Sequence, residues 1–561
     1  MAYHNDPKRL DCNASEADAS AARETTTPAA TAHQKHRLVV LGDSLTEGFQ
    51  SFAVYNTDLS YPALIAKRLG VFDSFRYPHY KPEGDPYRQT QNGGWGPALN
   101  LEFLARRLQE ADCNRTPAAI DLIEDAAAAL EQIESIRAYW DGPDRVNELD
   151  KEGGIMHNLA VAGYDVRDLF TRTAETERER MNRFGLLEKV APIAKNAGPL
   201  IGLKVLASAW RDTGQGELAL TPVEAAQALG EDGGIETLIV FIGANNALGT
   251  VIDLQIHESG PGYDSLEEKG RYNLWRPEHF ALEMARLMER VKGIDAKHVL
   301  WGTIPHVTIA PLAHGIMRRL EVDPRFFEYY TYPWFKEGNF NESRDPNLTG
   351  AQVIHIDSYV DQYNDTIKRG VDEANRGGTR SWHIVDTARL FERFAYRRYY
   401  QEDRTADARR RLGETNYPLP EPLSHVEPRI DTQFFQADAR GRTHGGLITL
   451  DGVHPTTVAY GLLAQEFMKT MRGEAHVEFP NPNDDLVDFA ALLKEDNLVN
   501  GPPKCVTADM RLLGRAYLRW DWIRSFSRLL CSSCAGGGGL AALRHELGQD
   551  LSRLLSHGHS E

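Results

Sequence analysis

Two segments at opposite ends of the sequence contain side chains that could cooperate in nucleophilic catalysis. Residues 42–45 (Gly-Asp-Ser-Leu) follow an apolar run and supply the hydroxyl of Ser44. Residues 450–455 (Leu-Asp-Gly-Val-His-Pro) place Asp451 three positions before His454. On a tight loop the Asp carboxylate can accept the imidazole Nδ1–H and leave Nε2 free as a base. Because a serine hydroxyl is a weak nucleophile without an adjacent base, these three residues are the candidate catalytic set.

Two further segments supply candidate hydrogen-bond donors for an oxyanion. Residues 158–165 (Asn-Leu-Ala-Val-Ala-Gly-Tyr-Asp) place Gly163 between an apolar run and a predicted helix, where a Gly lets the backbone N–H approach a ligand. Residues 242–246 (Ile-Gly-Ala-Asn-Asn) end the strongest predicted strand, and the side-chain amide of Asn245 can donate to an oxygen. Together with the backbone N–H of Ser44, these groups form the candidate oxyanion hole.

Each segment also has an ordinary structural interpretation. Ser44 and Asn245 are of types that favour helix caps and turns, and His454 is one of 19 histidines. For Gly163 taken alone, a simple turn glycine is the favoured interpretation. The four segments gain weight together, because each lies at a predicted strand end or beside the final predicted helix, where one crevice could unite them.

Apolar runs that alternate with helical periodicity predict the elements that position these segments. Strands are predicted at 37–41, 237–242 and 298–302, more weakly at 383–385, with 156–161 as a further candidate. Helices are predicted at 61–69, 166–170, 280–291, 359–374 and 460–468. Strands alternating with helices imply parallel strands joined by right-handed crossovers, and hence a layered α/β domain.

The chain is expected to carry one large domain, over residues 37–475. Residues 1–36 are rich in Ala, Thr, Ser and charge, so they are predicted to be a disordered leader that buries too little apolar surface to order. Long insertions are predicted at about 101–150, 171–232 and 397–445. The first two are predicted to be largely helical, and the last is polar enough to predict a surface excursion.

Residues 476–561 are expected to form a linker and a helical tail. Within the tail, residues 506–530 have an amphipathic pattern, which is typical of a helix that docks on a surface. Docking on the main domain is the favoured interpretation, and a partner protein or a membrane surface is the alternative.

Composition excludes several classes of function. The net charge of -17 argues against a general nucleic-acid binder and against wholesale docking on anionic lipid. No run approaches the roughly 20 apolar residues of a membrane helix, so no stable membrane insertion is predicted. The five cysteines are too few for a disulfide scaffold, and the first residues lack the apolar region of a secretory signal. A reducing, cytoplasmic location is therefore predicted.

No cofactor or metal is predicted. The sequence contains no phosphate-binding Gly-rich loop of the P-loop type. Cys531 and Cys534 with His557 and His559 are the strongest zinc candidates, but their spacing fits no strong pattern and a flexible tail is the favoured interpretation.

In their order and content, the four segments resemble the SGNH (GDSL) hydrolase family, named for the Ser, Gly, Asn and His that its four blocks supply. The resemblance spans about residues 37–475 and is dense only at the blocks. It implies a flavodoxin-like, three-layer α/β/α sandwich with a central parallel sheet of about five strands. Two positions depart from the family pattern: Asn246 stands where an Asp is common, and Ala160 where a Gly is frequent.

The resemblance also implies roles for individual residues. Ser44 would be the nucleophile, His454 the base and Asp451 its orienting partner. The backbone N–H groups of Ser44 and Gly163 and the side chain of Asn245 would form the oxyanion hole. The expected function is a serine hydrolase that cleaves carboxylic esters, of the esterase or lipase type, through an acyl-enzyme intermediate.

Substrate and reaction class remain open at this point. A small-molecule or lipid-like ester is expected, and an acyltransferase with the same triad is the main alternative. A non-catalytic interaction protein on the same fold is a weaker one. Residues 324–335 are unusually aromatic. They are predicted either to line an acyl or aryl pocket or form a lid over it, or to be a packed satellite cluster.

Overall fold

The computed structural model describes residues 34–79, 100–107, 154–183, 194–207, 220–377, 381–395, 417–482 and 484–506. Several predictions fall outside the described residues: the leader up to residue 33, the first insertion after residue 107, the amphipathic stretch after residue 506 and the zinc candidates near the end of the chain.

Nine strands follow one another along the described part of the chain. They are β1 (His36–Gly42), β2 (Ile235–Phe241), β3 (Ala296–Gly302), β4 (His314–Arg319), β5 (Phe327–Thr331), β6 (Leu348–Thr349), β7 (Ser381–Val385), β8 (Gln436–Asp438) and β9 (Gly441–His444). The central sheet is parallel and has the order β1-β2-β3-β7. The remaining strands form two small antiparallel sheets, β4-β5-β6 and β8-β9. The four main strand predictions are confirmed.

The segment 157–161 pairs with β1 but is too short to count as a full strand. The Val40 N–H donates to the His157 carbonyl at 2.8 Å, and the Leu159 N–H donates to the Val40 carbonyl at 3.0 Å. The Val161 N–H then donates to the Gly42 carbonyl at 3.2 Å. This parallel bridge at the free edge of β1 lies where the fifth strand candidate was predicted.

The helices, in chain order, are α1 (Ser44–Glu47), α2 (Tyr61–Arg68), α3 (Leu101–Arg107), α4 (Ala174–Arg183), α5 (Ala194–Ala207), α6 (Pro222–Glu231), α7 (Gly249–Asp253), α8 (Pro277–Gly293), α9 (Gly350–Gly377), α10 (Thr387–Phe394), α11 (Thr457–Gly473), α12 (Phe489–Glu495) and α13 (Asn497–Asn500). Three of these contain the helices predicted over 280–291, 359–374 and 460–468, and α2 matches the helix predicted over 61–69 except that it ends one residue earlier. The helix predicted over 166–170 is wrong in kind, because only a single 3-10 turn forms, at Asp168–Phe170.

Helices cover both faces of the central sheet. Alternate side chains of β1 point to opposite sides, so Val39 and Leu41 pack in one core with α6, α8 and α9, while Leu38 and Val40 pack in another with α2, α10 and α11. Both faces are thus buried, as the continuous apolar runs of the strands predict. The protein is an α/β fold in which helical layers enclose a parallel sheet.

The segment 417–445 is not the surface excursion that its polarity predicts. Tyr417, Leu423 and Ile430 are buried in the core that contains α11. These apolar residues stand singly among prolines and polar residues, so they show no periodicity in the sequence. Part of the third insertion therefore builds the domain instead of decorating it.

Residues 476–506 continue the domain beyond the boundary expected at residue 475. Phe479, Phe489 and Leu492 are buried in the same core as α11. The carboxylate of Asp496 accepts hydrogen bonds from the backbone N–H of Val458 at 2.8 Å and of Val499 at 3.0 Å. One side chain thus ties the last described helix to the start of α11.

Cys505 is the one cysteine within the described ranges, and it is buried. The reducing, cytoplasmic location stays a prediction. Among the described helices, none combines the length and the apolar content needed to cross a membrane.

We predict that Asp496→Ala lowers the free energy of unfolding by about 2–4 kcal/mol, because buried N–H groups lose their acceptor. Urea denaturation measures the change. The control is Asp488→Ala, which removes an exposed cap whose carboxylate accepts the Ala491 N–H at 2.9 Å, and which should cost about 1 kcal/mol or less. Equal losses in the two variants would contradict the tie between the C-terminal segment and α11.

Candidate active site

Ser44 lies at the carboxyl end of β1, as its position after the first strand predicts. Asp43 is the N-cap of α1, and its carboxylate accepts the backbone N–H of Leu45 at 3.1 Å. Ser44 is the first residue of this short helix, which ends at Gly48 in a left-handed conformation (φ 97°). Asp43 therefore fills the capping role that the sequence leaves open for Ser44, and the Ser44 hydroxyl does not cap α1.

The structure brings together the three residues of the candidate catalytic set. His454 Nε2 lies 2.9 Å from Ser44 Oγ, and His454 Nδ1 lies 2.9 Å from Asp451 Oδ2. Ser44 is 6%, His454 7% and Asp451 1% exposed. With Nδ1–H donating to the carboxylate, Nε2 is the acceptor for the serine hydroxyl, which is the tautomer that a general base needs.

The Asp451 carboxylate is held by four hydrogen bonds. Besides the imidazole, it accepts the backbone N–H of Val453 at 2.8 Å, of His454 at 2.9 Å and of Phe52 at 3.0 Å. Burial by itself would raise the pKa of Asp451, but the neighbouring His454 and the N–H donors outweigh it and hold the pKa below its ordinary value. Asp451 is therefore an anion, able to stabilise a protonated imidazole.

The imidazole of His454 is fixed from several sides. The ring of Phe49 lies against it with a centroid distance of 4.6 Å. The Phe49 carbonyl accepts the hydroxyl of Tyr460 at 2.8 Å, which ties this contact to α11. The His454 carbonyl accepts the Thr449 N–H at 2.8 Å. Backbone and packing together thus set the orientation of the ring.

The backbone N–H groups of Ser44 and Gly163 are open for a ligand. Neither donates to another protein atom within the described part of the chain. Gly163 has a φ of 82°, a conformation that a side chain disfavours, and it is exposed at the turn after the 157–161 segment. The positive φ explains why residue 163 is a glycine, and the same turn leaves the Gly163 N–H without an acceptor among the described residues.

Asn245 lies next to this turn. Its Nδ2 donates one hydrogen to the carbonyl of Tyr164 at 2.8 Å, which leaves the second hydrogen of the amide for another acceptor. Asn246, which departs from the family pattern, directs its Oδ1 to the backbone N–H of Val166 at 3.3 Å. The amide oxygen of Asn246 thus accepts a hydrogen bond that the carboxylate of an Asp at this position could also accept.

Two polar contacts join α1, which we call the serine helix because it carries Ser44, to the Gly163 turn. Buried Glu47 accepts the backbone N–H of Ala162 at 2.9 Å, and Asn158 Nδ2 donates to the Thr46 carbonyl at 3.2 Å. The sequence patterns did not predict that Glu47 connects these two segments. Its position three residues after Ser44, on the same short helix, was the available signal.

A buried ionic cluster stiffens the chain after Gly163. Lys269 Nζ lies 2.6 Å from Asp168 Oδ1, and Arg172 Nε lies 2.8 Å from the same oxygen. Burial raises the pKa of Asp168, but the two cations outweigh it and hold the pKa far below its ordinary value. Lys269 also pairs with Asp165. The turn that carries Gly163 is therefore anchored at its C-terminal end.

Ser44 and His454 open into a mostly apolar pocket, which we call the serine pocket. Its apolar wall residues include Leu45, Leu248, Pro305, Val307, Ile309, Phe391, Phe394 and Ile448. Most rings of residues 324–335 are packed in the core, and none of these residues lines the serine pocket. The segment is therefore largely the packed cluster that the sequence leaves as one alternative, and a second pocket is lined by four of its residues, Arg325, Phe327, Tyr330 and Pro333.

His306, which sequence analysis did not single out, also lines the serine pocket. Its Nε2 lies 2.9 Å from Asp361 Oδ1 on α9, and its Nδ1 lies 3.4 Å from Glu392 Oε2 on α10. Burial lowers the pKa of His306, but surrounding carboxylates, led by Asp357, outweigh it and hold the pKa well above its ordinary value. Both ring nitrogens are engaged, so His306 links the two helices and is not a second base.

Within the described ranges, no group of three or more His, Cys, Asp or Glu side chains is placed to hold a metal ion. Comparison with protein-family models and with curated proteins finds no match for this chain. The geometry of the site is therefore the basis for assigning a function to this protein.

We predict that Asp43→Asn changes the pH dependence of stability. Burial raises the pKa of Asp43 to about 7, against the lowering effect of the Leu45 N–H, whereas its ordinary value is 3.8. Between these pH values the native protein retains a proton that the unfolded chain releases, so the free energy of unfolding falls as pH rises through this window. Relative to the variant, the wild type should lose roughly 1–4 kcal/mol between pH 4 and pH 8.

Urea unfolding of both proteins across this pH range measures the difference. Asn is also a good N-cap, so α1 should form in the variant. Asp73→Asn, at an exposed position, is the control for the loss of a carboxylate. A difference between wild type and Asp43→Asn that stays constant with pH would show that the Asp43 carboxyl is ionised throughout.

Proposed function

We propose that this protein is a serine hydrolase that cleaves carboxylic esters through an acyl-enzyme intermediate. The observation that carries the proposal is the continuous hydrogen-bonded path from Asp451 through His454 to Ser44, with both side-chain distances at 2.9 Å. Nucleophile, base and orienting carboxylate in this order are the arrangement by which a serine hydroxyl becomes reactive at neutral pH.

In the proposed reaction, Ser44 Oγ attacks the ester carbonyl carbon while His454 Nε2 takes the hydroxyl proton. The tetrahedral intermediate collapses as the bond to the alcohol oxygen breaks and His454 returns that proton to the leaving alcohol. Water then attacks the acyl-enzyme, with His454 again accepting a proton and returning it to Ser44 Oγ as the carboxylic acid leaves. Asp451 stabilises the imidazolium in both halves of the cycle.

The proposed oxyanion hole consists of the backbone N–H groups of Ser44 and Gly163 and the second amide hydrogen of Asn245. The first two have no acceptor in the described protein, and the Asn245 amide is held in place by the Tyr164 carbonyl. Such donors stabilise the transition state most when they are oriented in advance. The apolar serine pocket suits the acyl part of a small-molecule or lipid-like ester.

We further propose that the fold is flavodoxin-like. Counting the bridge segment 157–161 as the second strand of the chain, the sheet order becomes 2-1-3-4-5. This is the doubly wound order of flavodoxin-like sheets. Ser44, Gly163 and Asn245 all follow strands of this count at their carboxyl ends, where such sheets bind ligands.

We predict that Ser44→Ala lowers kcat for a p-nitrophenyl ester by at least about 10⁴-fold, because the nucleophile is lost. The same variant should no longer react with a fluorophosphonate probe. Ser74→Ala, at an exposed serine, is the control and should behave like the wild type. Probe labelling that persists in Ser44→Ala would contradict the proposal, since another residue would then be the nucleophile.

We predict that Asn245→Ala lowers kcat by about 10²–10³-fold, because one preorganised donor to the oxyanion is removed. Since the triad is intact in this variant, fluorophosphonate labelling should persist at a reduced rate. Steady-state kinetics and labelling rates measured on one preparation separate the two effects. A variant with unchanged kcat would place Asn245 outside the oxyanion hole.

A further inference from the structure

A second pocket adjoins the serine pocket. It shares part of its wall with the first. The shared residues are Ile309, Ala310, Pro311, Ala395 and Thr432. We call it the glutamine pocket, for Gln433 and Gln436 in its lining. The two pockets therefore lie side by side, and the first of them contains Ser44.

The two pockets differ in chemistry. Polar side chains in the serine pocket are few, and two of them are Ser44 and His454 themselves. The glutamine pocket has a much larger polar share, which comprises Thr308, His314, Arg325, Tyr330, Thr432, Gln433 and Gln436. An ester with one apolar half and one polar half matches this pair of pockets better than an ester with two apolar halves.

Among the described residues that line the glutamine pocket, Arg325 is the one guanidinium or ammonium group, and it is already paired. Arg325 forms a forked ion pair with Asp323, with Nη2 at 2.7 Å from Oδ2 and Nε at 3.0 Å from Oδ1. A guanidinium whose fork already holds a carboxylate is poorly placed to bind a second anion. The polar half of the ligand is therefore expected to be uncharged.

The amides in this pocket are suited to hydroxyl groups. The Gln436 side chain forms no hydrogen bond with any other residue in the described part of the chain, although it is half-buried. Gln433 is held by its Nε2 donating to Asp431 Oδ2 at 2.8 Å. An amide can both donate and accept, so Gln436 can pair with either side of a hydroxyl.

The position of His454 indicates which half of the ester enters which pocket. The loop that carries it packs on the side of the glutamine pocket: the Leu312 N–H donates to the Gly452 carbonyl at 3.0 Å, and a Cβ on Gly452 would lie 2.9 Å from the ring of Phe434. Phe434 lines the glutamine pocket. His454 itself lines the serine pocket, while Gly452 of the same loop lies against Phe434 of the glutamine pocket, so the loop lies between the two pockets. Because His454 delivers its proton to the leaving alcohol, we place the alcohol half on the glutamine side of this loop.

We infer that the glutamine pocket is the alcohol subsite and that the substrate class is an apolar acyl group esterified to an uncharged, hydroxyl-rich alcohol such as a glycerol or a sugar. The inference rests on the proposed hydrolase function. The apolar acyl group occupies the serine pocket, and Gln436 contributes to recognition of the alcohol without taking part in bond breaking.

The test compares esters that share a hexanoyl group and differ in a three-carbon alcohol. The substrates are glyceryl hexanoate, propyl hexanoate and the hexanoyl ester of glycerol phosphate. We predict that the full-length enzyme prefers the glyceryl ester in kcat/KM, and that Gln436→Met lowers the glyceryl-to-propyl ratio by about 3- to 10-fold, the effect of one lost hydrogen bond. Taking the ratio on one preparation cancels any loss of folded protein, and comparing the ratio between the variant and the wild type cancels the intrinsic reactivity of the two esters.

Gln227→Met is the matched control, because Gln227 is exposed on α6 and its amide contacts only Glu231 there, at 3.0 Å. It should leave both kcat/KM values unchanged. If no ester of the set or p-nitrophenyl ester is cleaved, the hydrolase proposal itself is wrong. If both neutral esters are cleaved but the ratio is the same in Gln436→Met, the alcohol subsite is wrong. Preference for the phosphate ester would overturn the uncharged class.

Discussion

The buried carboxylate of Asp451 constrains much of the structure around the candidate site. A charge that is 1% exposed is costly unless it is fully hydrogen-bonded, and Asp451 obtains its partners from two distant parts of the chain. The N–H of Phe52 comes from the segment after α1, and the others come from its own loop before α11. Because the Asp451 carboxylate accepts hydrogen bonds from both segments, it fixes the distance between the serine helix and the loop that carries His454.

The rest of the site depends on the parallel sheet in the same way. β1 and β2 are neighbours in register, so the turns that follow them, with Ser44 and Asn245, leave the sheet at the same edge. Buried Glu47 then connects the serine helix to the Gly163 turn on the other side of β1. Polar groups inside a low-dielectric core have few alternative partners, and this limits the relative movement of the three turns.

The binding surface has a different origin from the triad. Phe391 and Phe394 come from α10, and Thr432 and Gln436 come from a segment that shows no periodic pattern. Pocket walls are made of side chains that meet only after the chain has folded, and each wall residue can be replaced by others of similar shape. No local rule of spacing therefore marks them, which explains why the aromatic run over 324–335 suggested a lining that the serine pocket does not use.

Local chemistry in the sequence determined the four strands of the central sheet, four of the helices and the candidate site residues Ser44, Gly163, Asn245, Asp451 and His454, because apolar periodicity and turn residues act over a few positions. Tertiary structure decided what such rules cannot reach. It assigned the cap to Asp43 and freed the Ser44 hydroxyl, brought His454 within 2.9 Å of it across 410 positions, buried apolar side chains of the 417–445 segment, and formed two adjoining pockets. These outcomes depend on long-range packing and on the burial of charge, which are properties of the folded chain as a whole.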